Sequence, residues 1–273
     1  MSALLSIAGL SRHFGGLVAV NAVDMEIGAG SVHGLIGPNG AGKTTLLNLV
    51  SGHLPSTAGR ILFNGKDITR SPAERRARMG IRRTFQNLKL FREMSVLENV
   101  MIGMHGQTHC ELWHALLRTP TQKSEEQAIA DCAREALEFV GLLQVASVPA
   151  GTLPHGVQRL TEIARAFVAK PTLLLLDEPA AGLNRVESRR LVDLIRAIRA
   201  RGVTIMLVEH HMDVVMPTCD RITVLNYGKR LADGTPAEIR QHPEVIKAYL
   251  GGGIKQAPKH GRAEPVEVTH AAP

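Results

Sequence analysis

Residues Gly37 to Thr45 read GPNGAGKTT. No other stretch constrains the fold as much, because it fits the phosphate-binding loop pattern of spaced glycines followed by Lys and a hydroxyl. Gly37, Gly40 and Gly42 let the backbone turn with its amides pointing inward, while Pro38, Asn39 and Ala41 fill the turn between them. Lys43 can bridge terminal phosphates, Thr44 offers a hydroxyl to magnesium, and Thr45 completes the nucleotide-binding set. The bare pattern arises by chance on the order of once in a hundred chains of this glycine content, so its flanks decide. Val32 to Gly37, VHGLIG, is apolar enough for a buried strand, and TTLLNLVSG, Thr44 to Gly52, reads as a helix stopped by glycine. Strand, loop and helix occur in the order a phosphate site needs.

The rest of the chain supports an α/β core with smaller attachments. Val23, Met25 and Ile27 alternate with polar neighbours, and Ile61 to Phe63 runs into Asn64-Gly65, so a small antiparallel sheet is expected beside the loop. From about residue 93 to 158 the pattern turns helical, and a separate helical lobe is expected. Ser124 and Gln127 suggest a capping box, Ile129, Cys132, Ala133, Ala136 and Val140 an apolar stripe, and Gly141 a stop. Leu160, Ile163, Ala164 and Phe167 follow at helical spacing, then the unbroken apolar run Thr172 to Leu176. A helix carrying Leu191, Leu194, Ile195 and Ile198 precedes the strands Val203 to Val208 and Ile222 to Leu225. Helices alternating with apolar strands predict a parallel sheet covered on both faces. Residues 1–250 form one domain on this reading, and the Gly-, Pro- and charge-rich stretch 251–273 is expected to be disordered.

Composition excludes several alternatives. With 44% hydrophobic content over 273 residues, the chain can bury one sizeable core. No apolar run approaches the ~18 residues of a membrane span, and MSALLSIAGL has no basic residue ahead of its short apolar stretch, which points to the cytosol. Cys110, Cys132 and Cys219 are scattered and odd in number, which argues against a disulfide framework. His105, His109, Cys110 and His114 do not form a convincing zinc pattern. The net charge of +7 comes partly from Arg75, Arg76, Arg78, Arg82 and Arg83, and from Arg185, Arg189, Arg190, Arg196, Arg199 and Arg201. Only 3% of the chain is aromatic, so neither cluster makes a base-stacking platform; both read as solvated faces, with anionic lipid or a partner's acidic surface as the alternative and no nucleic-acid partner.

Chemistry concentrates downstream. Leu173 to Glu178, LLLLDE, is an apolar strand that delivers two carboxylates at its C-terminal end, where α/β sheets bind their ligands. Asp177 is suited to hold magnesium opposite Thr44, and Glu178 to polarise an attacking water. RTFQN around Gln86, LPHGVQRLTEIARA from Leu153 to Ala166, AAGLN from Ala180 to Asn184 and EHH from Glu209 to His211 complete the set.

In this order the motifs resemble the ATP-binding subunits of ABC transporters, over roughly Leu4 to Gly251. The resemblance implies a P-loop NTPase core with a parallel sheet, a small antiparallel β subdomain and an ABC-type helical subdomain, and ATP and Mg2+ as its ligands. It implies that Gln86 senses magnesium and the transporter partner, that Gly156 is the signature-loop glycine, that His210 contacts the terminal phosphate, and that Phe14 lies against adenine. It also implies a second ATPase subunit, identical or homologous, paired head to tail, and two transmembrane permeases on the cytoplasmic face of the inner membrane. It further implies a periplasmic solute-binding protein that takes part indirectly. The family's usual LSGGQ is here Leu153, Pro154, His155, Gly156, Val157, which removes the serine hydroxyl; Pro154 is read at the first helical position, where a missing amide costs nothing. His211, next to the switch histidine, is expected on the opposite strand face.

FGGLVAVN from Phe14, NLKLFREMSVLENV from Asn87, LPHG, EHHMDVVM and LNYGK followed by GTPAEIR are similar to the branched-chain amino acid importer subgroup, as is the segment between Gly103 and Glu125. Urea, short-chain amide and other amino acid importers share much of this pattern, and a lipopolysaccharide-export or urea-type ATPase is the alternative transporter reading. Soluble ABC ATPases usually carry two modules or a long coiled coil, and a small-molecule kinase would not need the signature and switch elements.

Overall fold

The computed structural model describes residues 3–104 and 120–250. The expected tail and the group His105, His109, Cys110 and His114 lie outside the described residues. Two sheets organise the chain. The first is antiparallel: β1 (Ala3–Phe14) pairs with β2 (Leu17–Gly28) on one side and β4 (Ala58–Phe63) on the other, and β4 continues into β5 (Lys66–Asp67). Val23, Met25 and Ile27 of β2 are buried while Asp24 and Glu26 face out, as period-two alternation requires. The turn Asn64-Gly65 has φ of 51° and 74°, both left-handed, which suits the right-handed twist of a two-residue hairpin.

The second sheet contains β3 (Val32–Ile36), β6 (Ile81–Arg83), β7 (Leu173–Asp177), β8 (Thr204–Val208), β9 (Arg221–Asn226) and β10 (Lys229–Gly234). Its spatial order is β10-β9-β3-β8-β7-β6; every pair is parallel except β9 with β10. Every residue of β3, β7 and β8 is buried, because both faces are covered. Leu35, Leu173, Leu175, Met206 and Val208 face α1 (Lys43–Ser51) and the antiparallel sheet. Ile36, Leu174, Leu176, Ile205 and Leu207 face the helical layer of α3 (Val96–Met101), α4 (Pro120–Phe139), α5 (His155–Phe167), α6 (Arg185–Ala200) and α7 (Met212–Thr218). Each such Leu or Ile contributes about 1.5–3 kcal/mol relative to exposure, so the central strands are held from both sides. The short helices α8 (Pro236–Gln241) and α9 (Pro243–Leu250) close the described chain.

Two expectations need correction here. Helix α4 begins at Pro120, so Ser124 is inside it, and Gln127 donates to Asp131 one turn on (2.9 Å) instead of reaching back to a cap. The capping boxes are elsewhere, at Ser95/Glu98, Asn184/Glu187 and Thr235/Glu238. The first arginine cluster is not a solvated face. Arg76, on α2 (Ala73–Arg78), is 2% exposed and donates to the carbonyls of Leu49, Val50, Ser71 and Thr69, so it satisfies the end of α1. Arg83 is also drawn inward, whereas Arg75 and Arg78 and the second cluster are exposed.

Candidate nucleotide-binding and hydrolytic site

The loop from Gly37 to Gly42 joins the end of β3 to the start of α1, whose first free amides point into it. Gly42 caps the helix at φ 99°, and a side chain there would collide with the Ala19 carbonyl of β2, so backbone packs directly on the loop. The loop is further tied down by the Gly228 N–H, which donates to the Ala41 carbonyl at 3.0 Å. Lys43 is 7% exposed, and its ammonium donates to the carbonyls of Gly37 (2.7 Å) and Pro38 (2.9 Å). That places a positive charge at the centre of the loop. Burial lowers the ammonium's pKa, and the nearby carboxylates of Glu178 and Asp177 oppose that shift. Thr44 is exposed on the first turn of α1, with Thr45 half-buried beside it.

Strand β7 carries the two acids to the same end of the sheet. Asp177 is 2% exposed; its Oδ2 accepts from Arg83 Nη2 at 2.8 Å, and its N–H donates to Thr84 Oγ1 at 3.2 Å. Arg83 also donates to Asn48 Oδ1 (2.5 Å) and Ser51 Oγ (3.1 Å) of α1, so one guanidinium ties the phosphate helix to the acid strand. Burial raises the Asp177 carboxyl's pKa, and the Arg83 hydrogen bond opposes that rise. Its Oδ1 is buried with no partner among the described residues. An orphaned carboxylate oxygen is costly unless something satisfies it, and a hard divalent cation does so. Carboxylate, hydroxyl and amide oxygens, which Asp177, Thr44 and Gln86 can offer, are donor types that suit magnesium.

Glu178 sits at φ 46°, a left-handed conformation that costs a non-glycine residue about 1–3 kcal/mol. Its N–H donates to the Val208 carbonyl at 2.9 Å, which fixes the turn. Its Oε2 accepts from Gln86 Nε2 at 2.9 Å, and its Oε1 lies 3.9 Å from His210 Nδ1. Gln86 and His210, from the segments that follow β6 and β8, therefore meet around the carboxylate of Glu178, which follows β7.

Sequence reasoning missed two of the groups that build this centre, Arg83 and Glu209. Glu209 is fully buried and accepts from the N–H groups of Ala180 (2.6 Å), His210 (3.0 Å) and His211 (3.3 Å). Strand β8 ends at Val208, so His211 is not on the far face of a strand; the two imidazoles lie 4.1 Å apart, and His211 caps α7.

The signature segment is built differently. Pro154 is the N-cap of α5, not its first helical residue, and it makes no side-chain capping bond. Gly156 is buried against Glu187; a methyl group there would lie 2.5 Å from Glu187 Oε1. Arg159 and Glu162, both nearly inaccessible, pair at 3.0 Å, and Arg159 donates to the carbonyls of Phe85 and Gln86 at 2.8 and 2.9 Å. Helix α5 is thereby tied to the backbone that holds Gln86. Phe14, 41% exposed, stands at the turn end of the β1–β2 hairpin, paired with Leu17, with the Arg12 guanidinium 4.6 Å from its ring centre.

A phosphate loop, an acid pair ending a parallel strand, and glutamine and histidine converging on the second acid, beside an antiparallel sheet and a helical layer, define a nucleotide hydrolase of the ATP-binding-cassette class. Residues 20–181 match the family model described as ABC transporter, and residues 229–255 the one described as branched-chain amino acid ATP-binding cassette transporter. The chain belongs to the ABC transporter family, and it is an ATP-binding and ATP-hydrolysing subunit. It is 47% identical over 249 residues to the high-affinity branched-chain amino acid transport ATP-binding protein LivG of Escherichia coli K12, covering 91% of this chain and 98% of that protein. The corresponding protein BraF of Pseudomonas aeruginosa is 45% identical, with the same coverage. Among solved structures, a nucleotide-free ATP-binding cassette from an ABC transporter superposes with a TM-score of 0.80 at 31% identity, covering 91% of this chain and 99% of that one. The ADP conformation of MJ1267, an ATP-binding cassette of an ABC transporter, gives 0.81 at 30% identity, covering 92% and 100%. As the ATPase of a transporter complex the chain works with membrane permeases. Among the described residues, no helix is long and apolar enough to cross a membrane.

Proposed function

We propose that this chain energises a bacterial importer of branched-chain amino acids from the cytoplasmic face of the inner membrane. Glu178 acts as the general base for ATP hydrolysis. The observation that carries the catalytic reading is the grip on Glu178, with Gln86 Nε2 at 2.9 Å and His210 Nδ1 at 3.9 Å. A carboxylate so held can accept a proton from water, while Gln86 orients that water and His210 meets the terminal phosphate. Lys43 and the loop amides from Gly37 to Thr45 hold the phosphate chain, and Phe14 offers a face to adenine. Magnesium, bound by Thr44, Asp177 and Gln86, would neutralise phosphate charge and help to orient the phosphates.

One chain supplies half of the enclosure. The amides at the start of α5, around Gly156, point toward the phosphates held by a second cassette, identical or homologous, and association excludes water from both sites. Two permeases receive the resulting motion through the helical layer and Gln86, and a periplasmic solute-binding protein delivers the solute. The match over residues 229–255 favours branched-chain amino acids over urea, amides or lipopolysaccharide as the cargo.

The test compares ATP turnover by wild type and Glu178→Gln with the matching permeases. Turnover is expected to fall roughly 10²–10³-fold with ATP binding retained within about twofold. Equal turnover would remove Glu178 from the role of base.

A further inference from the structure

We propose that Glu209, His210 and His211 form a second metal site, separate from the oxygen set at Asp177, that takes a borderline divalent ion of the zinc class. The three residues each present a ligand atom, and all three atoms lie within 4.8 Å of one another. Their convergence follows from the backbone. Where β8 ends, the buried Glu209 carboxylate accepts the N–H groups of both histidines and so folds the two residues around itself. The imidazoles then lie 4.1 Å apart at 39°, and both reach solvent.

The chemistry selects the ion. Two imidazoles and a carboxylate are the ligand set of many zinc sites, with bonds near about 2.0–2.1 Å. The ligand atoms have to close by roughly 1 Å or more to meet one ion, and rotation of two solvent-facing side chains supplies that movement. Magnesium, which wants oxygen ligands in near-octahedral array, is poorly served by imidazole nitrogen. The local field is favourable to a cation as well, because His210 Nδ1 lies 3.9 Å from Glu178 Oε1 and 4.0 Å from Glu209 Oε2.

An ion held here engages His210 next to Glu178 and immobilises a pair that hydrolysis needs. The inhibitory consequence rests on the function proposed above, whereas the site itself does not.

Zinc chloride is titrated calorimetrically into the metal-free full-length protein in a large excess of magnesium. His211 is the residue to vary, since it has no part in the proposed hydrolysis, and asparagine suits the N-cap position it occupies on α7. Wild type should bind one zinc per chain at this site. His211→Asn should weaken that binding at least about tenfold, and His211→Cys, with a soft ligand in place, should retain it. Zinc-free ATP turnover should be the same in wild type and His211→Asn, and zinc should inhibit the first and spare the second. Coincident isotherms for wild type and His211→Asn, or loss of binding in magnesium, would overturn the site. Zinc bound by calorimetry with turnover untouched would leave the site standing and overturn the role given to His210.

Discussion

The phosphate-loop side and the signature side of the molecule are built on different principles. On the first, side chains from four segments of one chain meet: Lys43 after β3, Gln86 after β6, Asp177 and Glu178 at β7, and His210 after β8. On the second, Pro154 makes no capping bond and Gly156 presses on Glu187, so what the start of α5 has to offer is backbone amides. The two sides are joined inside the chain by Arg159, which links α5 to the carbonyls of Phe85 and Gln86. The difference teaches that the converging side chains lie in one half of this chain, while under the function proposed above the other half serves recognition. A movement of α5 can reach the glutamine that touches Glu178.

Lys43→Ala should break the first half with the largest effect. Among the described residues its ammonium bonds to loop carbonyls, so the fold should survive while ATP affinity falls roughly 10²–10³-fold, measured by equilibrium nucleotide binding alongside thermal unfolding. An equal loss of affinity in a signature-side variant would erase the distinction between the halves.

Acid should also weaken the phosphate-loop half. His33 lies on β3 and is 2% exposed; its Nε2 is 2.8 Å from Thr223 Oγ1, which in turn donates to Asp233. Burial pushes the imidazole down to about 4, against the opposing pull of Asp233. The unfolded chain protonates near 6.5, so the stability from a neutral His33 is complete above that pH. It is lost as pH falls toward about 4, a change on the order of 3 kcal/mol. Denaturant titrations across that window should show the loss, and His33→Asn should flatten it.

The smallest effect belongs to Gly156→Ala. The added methyl displaces Glu187 from its capping contact with the Asn184 N–H, costing about 1 kcal/mol of stability. ATP affinity should stay within about twofold while turnover falls. A drop in affinity instead would mean that the signature segment serves its own chain's nucleotide.

What could be read from the sequence was what is local. The loop GPNGAGKTT, the apolar run ending in Asp177-Glu178 and the Asn64-Gly65 turn each declare themselves in a few adjacent residues, because glycine conformation and strand burial leave a local pattern. What was missed depends on distant partners. Arg76 and Arg83 look like surface charge until α1 and Asp177 are brought beside them, and the Arg159–Glu162 pair looks like an exposed helix pair until it is buried. The false cap at Ser124 failed for a related reason, since Ser-x-x-Gln is too short a signal to locate a helix start without knowing how far the helix runs upstream. Strand alternation does not govern His211, because β8 ends at Val208, before the His210-His211 pair begins.

The central claim is that one chain binds ATP but does not hydrolyse it without a second cassette. Specific ATPase activity measured on serial dilution, with ATP binding and sedimentation followed on the same samples, tests this directly. Binding should hold while activity per chain collapses as the cassettes separate, and return when the second cassette, a copy or its homologous partner, is restored. Constant activity per chain in samples that sediment as monomers would contradict the account.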